Sequence, residues 1–184
     1  MRHALKLHPD SRSAAVTDIA VEVARSSGGN LALRFVVTGA ISDLRIPPVA
    51  APARTDELWK HTCFEAFLRT SRGPEYFEFN FAPSTQWAAY RFSGYRNGMT
   101  GAREIGAPRI EVQSSDAQFE LQASLDLDRL PGLSGYADWR LGLSAVIEET
   151  SGARSYWALA HPPGKADFHH ADCFALRLPA AGLS

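Results

Sequence analysis

Two glutamates interrupt runs that are otherwise apolar: Glu65 within LWKHTCFEAFL (58–68) and Glu78 within YFEFNFAP (76–83), with Asn80 two residues further on. Carboxylates and an amide among aromatic rings suit the recognition of a polyhydroxylated ligand. Rings stack on the apolar C–H faces of a sugar while the acids and amide bond its hydroxyls. The same two acids also fit the paired carboxyls of a glycoside hydrolase, which stand about 5 to 9 Å apart according to mechanism. No further motif for substrate activation accompanies them, so binding without catalysis is the first reading and hydrolysis by Glu65 and Glu78 the alternative.

Both acids must be positioned by strands. Successive side chains of an extended chain point to opposite faces. Phe77, Phe79 and Phe81 therefore share one face, and Tyr76, Glu78 and Asn80 the other. In the preceding run Phe64, Ala66 and Leu68 oppose Cys63, Glu65, Phe67 and Arg69. If these strands pair with their phenylalanines in a core, Glu65, Glu78, Asn80 and Tyr76 meet on the outer face. QWAAYRFSG adds either Trp87 with Arg91 or Gln86 with Tyr90 to that face. In WRLGLSAVIEET the row Trp139, Leu141, Leu143, Ala145, Ile147 opposes Arg140, Ser144 and Glu148. The plainer account of such a face is a set of cross-strand ion pairs between glutamate and arginine.

Period-two alternation, punctuated by Gly, Pro, Asn and Ser, recurs along the whole chain and predicts an all-β protein. Eleven segments qualify as strands, more than one flat sheet accommodates. The expected architecture is a two-sheet antiparallel β-sandwich, jelly-roll-like, of about ten strands. Helical turns are expected only in connections, at TDELW, where Thr55 is a candidate cap, and at DLDRLPGL. The Pro- and Ala-rich IPPVAAPARTD reads as a long loop within one domain spanning 1–184.

Composition narrows the function classes. With 184 residues, 45% hydrophobic and 21% charged, the chain has the profile of a globular domain with a full core. A formal net charge of -1 and a pI near 6.6 give no broad attraction to nucleic acid or to an anionic membrane. No apolar run approaches the roughly 20 residues of a membrane span, and Lys6, His8, Pro9 and Asp10 break up any signal-peptide core. A cytoplasmic location is expected. Cys63 and Cys173, too few and too far apart for a disulfide scaffold or a zinc knuckle, read as buried thiols in strands. ADFHHADCF, with His161 upstream, collects His169, His170, Asp172 and Cys173, but adjacent histidines of an extended chain point apart, and loop polarity is the simpler explanation.

LWKHTCFEAFL followed by YFEFNFAPSTQWAAYRFSGYRNGM, together with the later SYWALAHPPGKADFHHADCFALRL, resembles DOMON-like domains and the related family-nine carbohydrate-binding modules. The shared pattern is a tryptophan just before an acid-bearing strand and a strand ending in asparagine and a small-residue turn. A Trp-containing strand and loop then lead into the last strand. It runs from Val16 to Leu178. The resemblance implies a β-sandwich that binds sugars or haem, with Trp59, Glu65, Glu78 and Asn80 at matching positions. His61 and Thr62 stand where the family usually has an acid. Haem-binding members use a methionine and a histidine as axial ligands, which would pair Met99 with His161, His169 or His170. The expectation is thus a saccharide-binding module needing no cofactor or metal. Its stacking groups would be Trp59, Tyr76, Trp87 and Trp157, and its hydrogen-bonding groups Glu65, Glu78, Asn80 and Arg91.

Overall fold

The structure is a computed structural model and describes residues 1–26, 29–70, 73–127, 130, 133 and 137–180. Twelve strands follow one another: β1 (Arg2–Leu7), β2 (Val16–Arg25), β3 (Asn30–Gly39), β4 (Cys63–Thr70), β5 (Tyr76–Phe81), β6 (Trp87–Phe92), β7 (Thr100–Gly101), β8 (Arg109–Ser114), β9 (Gln118–Asp126), β10 (Trp139–Glu148), β11 (Arg154–Ala158) and β12 (Leu176–Leu178). The eleven segments expected as strands are all present. Only the two-residue β7 carried no sequence signal, being too short to show a period.

The strands do not separate into two independent sheets. They form one continuous antiparallel sheet in the order β7-β6-β5-β4-β10-β11-β1-β2-β3-β9-β8, with β12 beside the first half of β10. β1 is the seam, pairing through Arg2 to Leu5 with β2 and through Lys6 and Leu7 with β11. The sheet curls over on itself. Phe35 of β3 and Phe119 of β9 come within 5.1 and 6.0 Å, ring centre to ring centre, of Phe64 on β4.

That contact lies in the main core, where Ile19, Val21, Leu33, Phe79, Leu121, Leu143 and Ala145 are buried from both halves of the curl. The alternation explains the set, because each contributing strand sends every second residue inward. Trp87 and Trp157 belong to this core. Arg54 lies over the Trp87 ring at 4.2 Å and donates to the carbonyls of Ala89, Ala102 and Ile105.

Three 3-10 turns, Ile41–Asp43, Leu58–Lys60 and Ala171–Cys173, lie in the connections. The second was expected, but Thr55 does not cap it. Its first position follows Glu57, held in the left-handed region at φ 62°, and no side chain caps the turn. Cys173 sits in the third turn rather than in a strand; both thiols are free and buried. Of the turn expected at DLDRLPGL, residues 128, 129, 131 and 132 lie outside the described residues. Among the described residues no helix is long and apolar enough to cross a membrane.

Candidate functional site

The face of β6, β5, β4, β10 and β11 turned away from the main core is not an open surface. Phe67, Tyr76, Ala88, Tyr90, Phe92 and Phe174 form a second buried cluster there, with Leu58, Trp59 and Phe168 packed against it. Between this face and the loops above it lies a cavity of about 570 Å³, within the size range of small-molecule sites. Its floor is made by Glu65 and Phe67 of β4, Glu78 of β5, Phe92 of β6, Val146 of β10 and Arg154 and Tyr156 of β11. Its walls come from three connections: Trp59 and Lys60, Arg96 and Met99, and Ala166, Phe168 and His169.

Strand register puts the acids together as the alternation requires. Glu65 lies opposite Asn80 across β4 and β5, and Phe67 opposite Glu78. The two glutamates are therefore diagonal neighbours, about 7–8 Å apart by strand geometry. Both are buried, at 3% and 5% exposure, and Asn80 is fully enclosed. Asn80 donates from Nδ2 to Glu78 Oε1 at 2.8 Å, and Ser144 donates from Oγ to Glu65 Oε2 at 3.1 Å. Asn80 Oδ1 has no hydrogen-bond partner. Neither glutamate is in an ion pair with an arginine, so cross-strand pairing with arginine does not account for them among the described residues.

Burial shapes the protonation of this floor. Loss of solvent, and secondarily the charge of Glu78, pushes Glu65 up to about 8. Loss of solvent raises Glu78 to about 7 against the opposing pull of the Asn80 hydrogen bond and the Arg96 charge. A buried carboxylate without a cation is costly, and taking up a proton relieves the cost. Beside them, burial and then Arg96 press His169 down to about 4, leaving it neutral. Tyr76 Oη lies 2.8 Å from His169 Nδ1 and already accepts the Arg96 backbone N–H at 3.2 Å. The phenol then donates to Nδ1, and the imidazole proton stays on Nε2, 3.8 Å from Glu78 Oε2. Burial first, then Glu65 and Glu78, raises the Cys63 thiol well above its usual range, which makes it inert as a nucleophile.

The walls are held by specific contacts. Trp59 stands edge-on to Tyr90 at 5.9 Å, and the Tyr90 hydroxyl donates to Asp56 Oδ1 at 2.7 Å. The 161–170 loop is clasped to the β6–β7 loop through Asp167. This carboxylate accepts from Tyr95, from Arg96 at 2.8 Å and from the His169 backbone N–H at 3.1 Å. The Ala171–Cys173 turn rests directly on β10 at Gly142, where a Cβ would stand 2.9 Å from the Cys173 carbonyl oxygen. Only glycine permits that approach.

Of the residues proposed from sequence, Trp59, Glu65 and Glu78 line the cavity. Asn80 supports Glu78 from beside it. Tyr76 stacks on Phe92 at 4.7 Å and orients His169 from behind. Trp87 and Trp157 face the opposite side of the sheet, in the main core, and Arg91 sits at the rim against Glu75 at 2.9 Å. Strand parity corrects the grouping of these three with the acids as ligand contacts, since Trp87 pairs with Phe81, Trp157 with Ala145 and Arg91 with Phe77, all core residues. Met99 and His169 line the same cavity, while His161 and His170 do not. His170 faces Asp172 at 3.5 Å and His161 the Lys6 carbonyl at 2.8 Å. Cys173 Sγ donates to the carbonyls of Ala160 and Asp167. Tyr156, Phe67 and Phe92 were missed although parity alone places them beside the acids. Phe168, His169 and Arg96 come from loops, where no periodicity marks them.

No protein-family model matches the chain, and no curated protein matches it. Among solved structures it is similar to a Bacteroides uniformis ATCC 8492 protein to which carbohydrate binding has been ascribed. That match has a TM-score of 0.65 and 14% identity, over 89% of this chain and 80% of that one. It is also similar to a family-nine carbohydrate-binding module of Caldicellulosiruptor kristjanssonii in complex with cellotriose. Here the TM-score is 0.52 and the identity 12%, over 89% of this chain and 74% of that one. At this identity the likeness is one of fold: an all-β chain of antiparallel strands in a curled sheet.

Proposed function

We propose that this chain is a non-catalytic binding module whose cavity takes a saccharide or a similar small polar ligand, on a curled sheet of β-sandwich type. One observation carries the reading. Two buried carboxyls, each with a single short hydrogen bond, lie in the floor of a cavity lined by the rings of Trp59, Phe67, Phe92, Tyr156 and Phe168. Flat apolar walls with a few convergent polar groups are what a sugar ring requires. The structural neighbours support the reading, because both are described in terms of carbohydrate.

The test is a titration of mono- and disaccharides followed by tryptophan fluorescence and by NMR shifts of the cavity residues. Binding that weakens in Glu78→Ala supports the proposal. Silence across a broad panel removes it.

A second reading, glycoside hydrolysis, is favoured by the diagonal placement of Glu65 and Glu78 in one cavity with both acids raised. It requires turnover of aryl-glycosides that is lost in Glu65→Gln or Glu78→Gln. Haem is less well served, since both ring nitrogens of His169 are directed at protein groups, Tyr76 and Glu78, and not at an open axial position.

A further inference from the structure

The floor of the cavity is short of donors. Glu65 and Glu78 line it, and among the described residues their only short side-chain hydrogen bonds come from Ser144 and Asn80. Beside them Asn80 Oδ1 is a fully buried acceptor with no partner among the described residues. An ionised carboxylate offers about four acceptor positions, so two of them require more protons than these neighbours supply. The rings around them, Trp59, Phe67, Phe92, Tyr156 and Phe168, present apolar faces and no carboxylate-pairing cation.

The cations that do line the cavity are committed or peripheral. Arg96 is engaged with Asp167, Lys60 with Glu57 at 2.6 Å, and each is about half exposed. Arg154 is exposed at the outer end of β11. His169 is neutral and its Nε2–H stands 3.8 Å from Glu78, beyond hydrogen-bond reach, and the nearby phenols and Cys63 add no positive charge. The cavity is therefore polarised, acidic and acceptor-rich at the bottom and basic at the mouth.

Resting on the ligand-cavity reading above, we infer that the ligand carries a primary ammonium group, seated against Glu65 and Glu78 inside the aromatic walls, with its uncharged or anionic part towards Arg154 and Arg96. An ammonium supplies three donors and one positive charge to two carboxyls that burial otherwise keeps from ionising together, and aromatic faces add to its attraction. An amino sugar fits both this chemistry and the cavity. A simple alicyclic amine shares the chemistry without the hydroxyls.

The test compares glucosamine, glucose, N-acetylglucosamine and cyclohexylamine by calorimetry in two buffers of different ionisation heat. At about pH 6.5 the amines are charged and the acid pair, raised to about 8 and about 7, still holds most of its protons. The expected result is glucosamine binding roughly ten- to a hundredfold more tightly than glucose or N-acetylglucosamine. Its binding also releases protons to the buffer, because the ammonium takes the place of those the two carboxyls hold. In Glu78→Gln and in Glu65→Gln the ratio of glucosamine to glucose affinity falls towards one. Equal binding of the three sugars without proton release overturns the ammonium inference and leaves the saccharide reading standing. Binding of cyclohexylamine with no sugar bound overturns the saccharide reading and keeps the ammonium. Binding of none of the four overturns both.

Discussion

Asn80 donates its side-chain amide to Glu78 two positions along the same strand, and stands directly opposite Glu65 on the next. One neutral amide thus lies between two buried acids, and it satisfies only one of them. The pair consequently holds protons at a pH where solvent-exposed glutamates have lost theirs.

This sets the pH dependence of stability. The folded values of Glu65 and Glu78, about 8 and about 7, lie above those of an unfolded chain. The folded state binds more protons in that window and loses stability as pH rises through it. His169, depressed to about 4, acts in the opposite sense between that value and its unfolded value of about 6.5. The net fall is therefore cleanest between about pH 6.5 and 8. Urea midpoints measured across this range should decline. Glu65→Gln, which cannot ionise, should flatten the decline and exceed the parent at pH 8 by roughly 2 kcal/mol. A parent midpoint that is level from pH 6.5 to 8 contradicts the account.

Ligand-induced change in tryptophan emission should come from Trp59 alone. The other three tryptophans, Trp87, Trp139 and Trp157, are buried in the main core on the far side of the sheet. Trp59→Phe should abolish the change and weaken a bound saccharide roughly three- to tenfold, the worth of one stacked ring. An undiminished signal in that variant places the ligand elsewhere.

Gly142→Ala should lift the Ala171–Cys173 turn from the sheet. The added methyl meets a backbone carbonyl, which cannot swing aside as a side-chain tip does. A cost of about 1–3 kcal/mol is expected, as for other overpacked sites. A faster reaction of Cys173 with a thiol reagent should accompany it, since this thiol is held against the carbonyls of Ala160 and Asp167. Unchanged stability and labelling would show that the turn yields freely.

Phe64→Ala should be among the most damaging single changes, at about 3–5 kcal/mol. Its ring is the contact that joins β4 to both β3 and β9 across the curl. Chemical denaturation measures it directly, and a loss below 1 kcal/mol would mean the two halves are held by other residues.

Much of this site was legible because a strand has an exact period. The alternation in YFEFNFA alone separates the phenylalanines of the core from Tyr76, Glu78 and Asn80, and the register joins Glu65 to them. Trp87 and Trp157 were misplaced because residue type outweighed parity. In WAAYRF the core parity includes Trp87 and Ala89, and Tyr90 falls on the side of the acids. The curl of the sheet was less legible, because alternation says which residues face a common interior and not whether one sheet or two provide it. The roof was not legible at all. Phe168, His169 and Arg96 reach the cavity through loops whose path is set by Asp167 and by the space over Gly142, and neither leaves a periodic mark.

The seam at β1 bears on how the chain is built in time. Arg2 to Leu5 can pair with β2 as soon as that hairpin exists, but Lys6 and Leu7 must wait for Trp157 and Ala158, near the far end of the chain. Joining the two halves of the sheet through β1 is thus a long-range event, opposed by loop entropy, and such pairings make folding slow. During synthesis the first half emerges with β1 and β4 both lacking a neighbour, since β10 and β11 are still to come. Those two open edges are where a nascent or newly denatured chain is exposed to pairing with another copy, and Lys6, exposed in the part of β1 that pairs with β11, guards the first of them.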